Sequence, residues 1–347
     1  LDPSGALPDN PNNKIPGPTD RVEILSGNEV TVQPSTNNLQ VIEANIQGRL
    51  DLTTTEGHDF GKIRGNGKVL MAADNFPDGD ASEFVNDQGA VEFYGTSFNL
   101  DTTRTFYDVT LNMDTRQDTL TLLRDYTIKG DFYIEQGTFR INDNNSTNVL
   151  DLEVSRDVTV EQQGRIITGE GNTVDPSYVI GSGTMPTDDG IAYHQIFHQF
   201  LIGGDFTNNG TVRFTNLDAP DYNSFATNGA VTVRFTGARD AQITLQDTTD
   251  FYNLIIEKGS DKTYTAEVYA HETRDFQLFG PNSCGRLTSG SYSNAHPLVR
   301  KALWVKYGTL KLTGNIHIPT LSEGSDEIGN GDYAIGENAR FLIAGAD

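Results

Sequence analysis

The sequence predicts an all-β protein, a right-handed parallel β-helix (β-solenoid) with irregular coils, and three observations carry that prediction. Short segments of alternating apolar and polar residues are separated by Gly, Asn and Asp, and no stretch keeps a helical period. Apolar strand centres recur near residues 50, 70, 93, 109 and 132, a spacing of about 20 that suits one solenoid turn better than the roughly 8 to 12 of a sandwich. The chain also repeats itself: GAVEFYGTSFNLDTTRTFYDVTLNM (89–113) returns as GAVTVRFTGARDAQITLQDTTDFYNLIIEK (229–258).

In both copies a V-x-F-x-G strand (Val91, Phe93, Gly95; Val233, Phe235, Gly237) leads through a polar bend to a strand opening Phe-Tyr (Phe106, Tyr107; Phe251, Tyr252). FYIEQGTFRI (132–141) then matches LWVKYGTLKL (303–312), and RDVTVEQQGRII (156–167) matches GDYAIGENARFL (331–342) more weakly. The offset grows from 145 to 171 residues between the first two landmarks, so the second copy carries about 26 additional residues, placed near 274–300 where the strand rhythm breaks. The expected organisation is an extended lead-in (1–20), rich in proline, followed by one solenoid (21–347). Its two degenerate copies are about 21–210 and 211–347, the second truncated at its C-terminal end.

Taken in order, strands are expected at VEIL (22–25), EVTV (29–32), LQVIE (39–43), GRLDL (48–52) and GKVLM (67–71), then at the repeated landmarks. Each strand should pair in parallel with its equivalent one turn away, about 4.8 Å distant, and fifteen or so coils would make a rod of roughly 70 Å. Period two places Tyr252, Leu254 and Ile256, with Tyr107, Val109 and Leu111, on the interior face. The opposite face is mixed, with Asn253 and Ile255 set against Asp108 and Thr110. Gly95 and Gly237 close their strands where a corner needs positive φ or close backbone approach. The repeated aromatics are therefore expected to fill the interior rather than to stack on sugars.

Composition excludes several functions. Basic residues number 25 against 48 acidic ones, a formal charge of -23, which repels a phosphate backbone and argues against nucleic-acid and anionic-membrane partners. A single cysteine, Cys284, precludes an intrachain disulfide and a cysteine-based zinc site. No apolar run reaches the roughly 18 to 20 residues that span a bilayer, so direct membrane insertion by a helix is not expected.

The succession of Pro18, Val22 and Ile24, then Asn28, Val30, Thr31 and Val32, then FGKIRGNGKVLM, DNFPDGDASEF, VEFYG and FYNLIIEK resembles the strand-rich repeat regions of very large Bacteroidota cell-surface proteins. These are similar to adhesins and filaments exported by the type IX secretion system, gliding-motility adhesins among them. The resemblance implies an extracellular or outer-surface location on a Gram-negative cell, with surface or secretion-system proteins, or glycans, as partners. DTT (101–103), DTL (118–120) and DTT (247–249) resemble the O-glycan acceptor pattern of that group, which points to Thr102, Thr119 and Thr248.

Other candidate chemistry is sparse. Asp74, Asp78, Asp80 and Glu83 surround Gly79 in DNFPDGDASEF, and close-set hard oxygens are what Ca²⁺ takes, although the spacing is not that of an EF-hand. A solvated acidic turn is the simpler reading, and no cofactor is required. NDNNSTN (142–148) and SEGSDEIGNGD (322–332) are weaker versions. His194 and His198 lie four apart but lack the glutamate of a zincin motif, and on a strand they stand about 13 Å apart. Cys284 has no histidine near it in sequence. The expectation is a non-catalytic structural or adhesive segment of a cell-surface or secreted protein. Two other readings are a polysaccharide-binding or polysaccharide-cleaving β-helix and a scaffold subunit of an envelope complex.

Overall fold

A computed structural model describes residues 15–143, 149–169, 198–215, 231–278, 303–318 and 333–344. Strands make up 55% of the described residues and helix 3%, and every strand pairing among them is parallel, as a solenoid requires. The chain winds along three sides, each a ladder of stacked strands. The first ladder holds Arg21–Ile24, Glu43–Ile46, Asp59–Arg64 and Asp78–Asp80. It resumes at Arg104–Phe106 and continues through Tyr126–Ile128, Asp151–Val154, His198–Ile202, Val231–Phe235 and Asn253–Glu257 to the first half of Leu303–Gly314 and to Tyr333–Ile335.

The second ladder is unbroken. It runs from Glu29–Thr31 through Arg49–Asp51, Lys68–Met71, Ala90–Gly95 and Asp108–Met113 to the first halves of Phe132–Ile141 and Val158–Thr168. From there it passes through Phe206–Asn208, Ala241–Leu245, Thr265–Ala270 and the second half of Leu303–Gly314 to Ala339–Ile343. The third ladder begins only at Phe98–Leu100. It rises through Thr119–Leu122, the second halves of Phe132–Ile141 and Val158–Thr168, Thr211–Arg213 and Thr249–Phe251 to Gln277–Leu278. The second ladder thus has twelve rungs among the described residues, fewer than the fifteen expected. The later coils are longer than the 20-residue period read from the first ones, and twelve rungs span about 53 Å.

Alternation sets the core. Val109, Leu111, Leu254 and Ile256 point inward and are fully buried, in company with Phe93, Phe106, Phe132, Phe200, Phe206, Phe214, Phe235 and Phe251. Along the third side Phe214, Phe251 and Phe276 succeed one another with centroids 5.7 Å apart. A fully buried Phe or Leu contributes roughly 1.5–3 kcal/mol relative to exposure, so each coil gains from the coil beneath it. One expected strand is displaced: LQVIE (39–43) is mostly a corner, with an isolated bridge from Gln40 to Asp59, and the strand proper is Glu43–Ile46. Val41 still packs inward at that corner.

The matching segments of the two sequence copies stack on different sides of the coil. In the first copy, Ala90–Gly95, Asp108–Met113 and the start of Phe132–Ile141 stack on the second side. Their counterparts Val231–Phe235, Asn253–Glu257 and the start of Leu303–Gly314 stack on the first. Even the bulge recurs, between Leu111 and Asn112 against Ile134 and Gln136, and between Ile256 and Glu257 against Val305 and Tyr307. Gly95 and Gly237 close their strands at φ 84° and 86°, as their sequence positions predict. The added length of the second copy starts later than expected, since Thr273–Asp275 (a 3₁₀ turn) and Gln277–Leu278 still belong to the coil.

The corner entering the second side carries a column of aspartates. The backbone N–H of Asp131 donates to Asp108 Oδ1 (2.8 Å), that of Asp157 to Asp131 Oδ1 (3.1 Å), and that of Asp205 to Asp157 Oδ1 (2.9 Å). Gln242 N–H continues the column to Asp205 Oδ1 at 2.8 Å. Arg156 neutralises Asp131 at 3.3 Å, and Arg239 pairs with Asp157. A Cβ at Gly130 would collide with the Asp108 carboxylate, so the approach of successive rungs needs glycine there. Burial, together with the Asp131 charge, pushes Asp108 above the usual carboxylate pKa, outweighing the Asp131 N–H that lowers it. Asp131→Ala removes an acceptor from Asp157 N–H and is expected to cost about 1–2 kcal/mol in urea unfolding. Asp108→Asn keeps the acceptor and removes the charge. Its stability relative to wild type should therefore rise as pH climbs through the raised pKa and converge with wild type below the ordinary carboxylate value of 3.8.

Candidate functional site

The most specialised surface is the outward face of the first side in the second copy. Interior positions alternate along its strands with outward ones, and the outward face is mixed, as period two predicts, but its Thr232, Asn253, Ile255 and Trp304 are buried. Thr232 and Asn253 are register partners, as are Arg234 and Ile255, and Ile255 and Trp304. Beside them Arg234 donates to Glu257 Oε2 from Nε (3.0 Å) and Nη2 (2.5 Å), and Lys306 Nζ meets Glu257 Oε1 at 2.9 Å. Lys306 Nζ also lies 5.2 Å from the Trp304 ring centroid and 5.7 Å from that of Tyr307.

The first copy holds none of this chemistry. Glu92, Asn112, Tyr133 and Glu135 stand where Arg234, Glu257, Trp304 and Lys306 stand in the second. Burial alone would raise the Glu257 pKa, but Arg234 and Lys306 outweigh it and hold the carboxyl below its ordinary value. Glu257 is thus a fixed anion that ties three successive rungs together. A general base would need a pKa near the working pH.

A charged residue also fills an interior corner. Met113 is buried against Gly137 in the first copy, and Lys258 occupies the equivalent place against Gly308. The Lys258 ammonium donates to Thr236 O (2.6 Å) and Gly203 O (3.0 Å), carbonyls of the two coils below it. Burial, aided by Arg239, brings its pKa down to about 8.

The sequence-predicted site residues do not converge. Asp74 Oδ2 accepts from Asp101 N–H, Asp80 Oδ1 accepts from Ser82 N–H, Glu83 pairs with Lys62 at 2.6 Å, and Asp78 lies exposed, 4.0 Å from Arg104. Among the described residues no group of three or more His, Cys, Asp or Glu is placed to hold a metal ion. Thr102 is exposed in a bend, whereas Thr119 is half-buried with its hydroxyl donating to Gln117 O, and Thr248 is half-buried ahead of strand Thr249–Phe251. His194, Cys284 and the acidic stretch 322–332 lie outside the described residues.

His198 points into the core, where its Nδ1 accepts the Leu150 N–H at 3.0 Å. His58 does the same for Leu39 N–H at 3.1 Å, with Nε2 at 2.8 Å from Thr55 Oγ1. The aspartate column has a signal in the sequence: an Asp stands at the start of the strand in KGDF (129–132), RDV (156–158), GDF (204–206) and RDA (239–241).

Burial pushes the His198 imidazole down to about 4 and lowers His58 as well. The unfolded chain then binds more protons than the folded one between the ordinary value of 6.5 and about 4. Stability should be flat with respect to these groups above pH 6.5 and fall by up to about 1.4 kcal/mol per pH unit for each of them below it. Chemical denaturation at stepped pH should show that slope shallower in His198→Gln. For Lys258 the sign gives a gain, because its folded pKa lies below the unfolded 10.5. Wild type should therefore gain on Lys258→Met as pH rises from 8 to 10.5, and Lys258→Ala should cost about 2–4 kcal/mol. No protein-family model, no curated protein and no solved structure matches the chain.

Proposed function

We propose that this chain is a non-catalytic structural or adhesive segment of a cell-surface or secreted protein, a stiff solenoid that supplies length and displays specialised outer faces. The observation that carries the reading is the rotation of the repeat by one side. The residues common to the copies, Val91, Phe93 and Gly95 against Val233, Phe235 and Gly237, are interior and corner positions. Because the copies face different sides, their repetition cannot present one surface twice in the same direction. It does extend one packed interior, which is what a stalk needs. The resemblance to Bacteroidota repeat regions favours the outer surface of a Gram-negative cell, with surface proteins, secretion-system proteins or glycans as partners.

The competing reading is a polysaccharide-cleaving β-helix, since Arg234, Lys306 and Glu257 meet on one outer face. Glu257, held anionic between two cations, is poorly suited to take up a proton. Purified protein incubated with a panel of neutral and acidic polysaccharides is expected to release neither reducing ends nor unsaturated sugars. Release of either product, abolished by Glu257→Gln, would overturn the structural reading in favour of an enzyme.

A further inference from the structure

Away from the two ends of the solenoid, two large hydrophobic side chains are exposed among the described residues, Tyr133 at 37% and Tyr269 at 40%. The others, Ile15, Leu25 and Ile42 or Ile335, Leu342 and Ile343, lie at the first coils or the last. Both tyrosines stand in one outward column of the second ladder. Tyr133 pairs with Thr159, Thr159 with Thr207, Thr207 with Thr244, and Thr244 with Tyr269. Four rung steps separate the tyrosines, about 19 Å along the solenoid axis. The preceding residues Phe132, Val158, Phe206, Ile243 and Val268 are buried in the core, so period two turns the column outward. Neither tyrosine belongs to the Phe-Tyr pairs that the two copies share, so the repeat does not account for them.

Both rings are held against the next rung. Tyr133 Oη donates to Glu161 Oε1 at 2.9 Å, and Glu161 Oε2 accepts from Asn209 Nδ2 at 3.3 Å. Tyr269 lies against Gly314, where a Cβ would come to 3.0 Å from its ring, and Gly314 is the register partner of Ala270. Each ring is thus pinned toward the C-terminal end of the rod while part of it stays open to solvent. Between them Thr159, Thr207 and Thr244 are half-buried, and among the described residues their hydroxyls have no hydrogen-bond partner. The column is a shallow floor of hydroxyls with an aromatic ring at each end. Asp205 and Glu267 border it on one flank and Glu161 on the other. These carboxylates repel a polyanion and accept hydroxyl hydrogens.

We propose that this column binds a linear neutral polysaccharide lying along the solenoid axis, with one sugar ring on Tyr133, another on Tyr269, and the sugars between them bonded to Thr159, Thr207 and Thr244. The C–H face of a sugar is apolar and its rim is hydroxylated, which matches an aromatic ring beside hydroxyls and carboxylates. A rung of about 4.8 Å is close to the rise of one sugar in an extended β-1,4-linked chain. Successive sugars of such a chain turn over, and an even number of rungs brings the same sugar face to both tyrosines. Rings fixed in advance by Glu161 and by the space at Gly314 lower the entropy cost of binding. The inference rests on the adhesive reading above and gives it a ligand.

Calorimetric titration of the full chain with cellohexaose, mannohexaose, cellobiose and sodium polygalacturonate tests the site. A neutral hexasaccharide should bind with an affinity that added salt leaves unchanged, and cellobiose, which reaches one ring, should bind about tenfold more weakly or worse. Tyr133→Ala and Tyr269→Ala should each reduce hexasaccharide binding to the level of the disaccharide, whereas Tyr133→Phe, which keeps the ring, should retain most of it. Thr207→Arg, which fills the floor at mid-column, should abolish binding. These positions are outward, so Tm should change little, and if one variant fails to fold the others still decide. The proposal is overturned if neither hexasaccharide binds, if the alanine variants bind as tightly as wild type, or if polygalacturonate binds in preference to the neutral sugars. It is also overturned if sedimentation shows a self-association that Tyr269→Ala abolishes, which would assign the column to a second copy of this chain. Loss of the site on any of these grounds leaves the structural rod standing. Release of reducing ends from a bound hexasaccharide would instead support the site and overturn the non-catalytic reading, so the two failures are told apart.

Discussion

Parallel pairing at a rung spacing of about 4.8 Å is the constraint on which the rest of the structure depends. It forces each side chain to sit directly above its counterpart one coil earlier, so the molecule is organised in columns as much as in strands. Inside, Tyr126, Leu152, Phe200, Val233, Leu254 and Leu303 form one such column. Any apolar residue of suitable size can extend it, which explains why the sequence repeat is recognisable in pattern and degenerate in identity. At the corners the same spacing stacks backbone N–H groups, and Asp108, Asp131, Asp157 and Asp205 accept them one after another.

Much of this could be read in the chain. Alternation placed Leu254, Ile256, Val109 and Leu111 inside, and the V-x-F-x-G landmark placed Gly95 and Gly237 at left-handed corners. What stayed hidden depends on the register between distant rungs. Asp157 and Asp205 are 48 residues apart in sequence and one rung apart in space, and Arg116 reaches Thr211 across 95 residues. Coil length varies, and bulges at Leu111/Asn112 and Ile256/Glu257 shift the count, so a fixed period cannot bring such residues together on paper. The burial of Asn253 and Ile255 on an outward face is not encoded locally, for a related reason. Period two tells which face a residue is on but not what covers it.

The rotation of the second copy by one side links these observations. A three-sided coil presents equivalent interiors on each side, so a sequence unit evolved against one ladder can pack against another without changing its inward residues. Its outward residues then meet a different neighbourhood. Glu92 and Tyr133 are half-buried or exposed in the first copy, whereas Arg234 and Trp304 are drawn into a charged and aromatic cluster in the second. The interior tolerates duplication, and the exterior diverges with position.

Lys258 tests how far that separation holds, because it puts an ammonium group where the first copy has Met113. An apolar column could not accept it, since an unpaired buried charge costs several kcal/mol. The corner can accept it because chain reversal leaves carbonyls there with spare acceptor capacity, and the four-carbon stem of Lys258 reaches Thr236 O on one coil and Gly203 O on the next. The stem keeps the packing that Met113 supplies, while the head exchanges water for two backbone dipoles. A solenoid interior is therefore uniform only along its sides. Its corners form a second class of site, where Asn208 and Lys258 can be buried, and the aspartate column half-buried, because the backbone itself satisfies them. Variation in this molecule follows radius: apolar columns fixed at the centre, satisfied polar groups at the corners, and chemistry free to specialise on the outside.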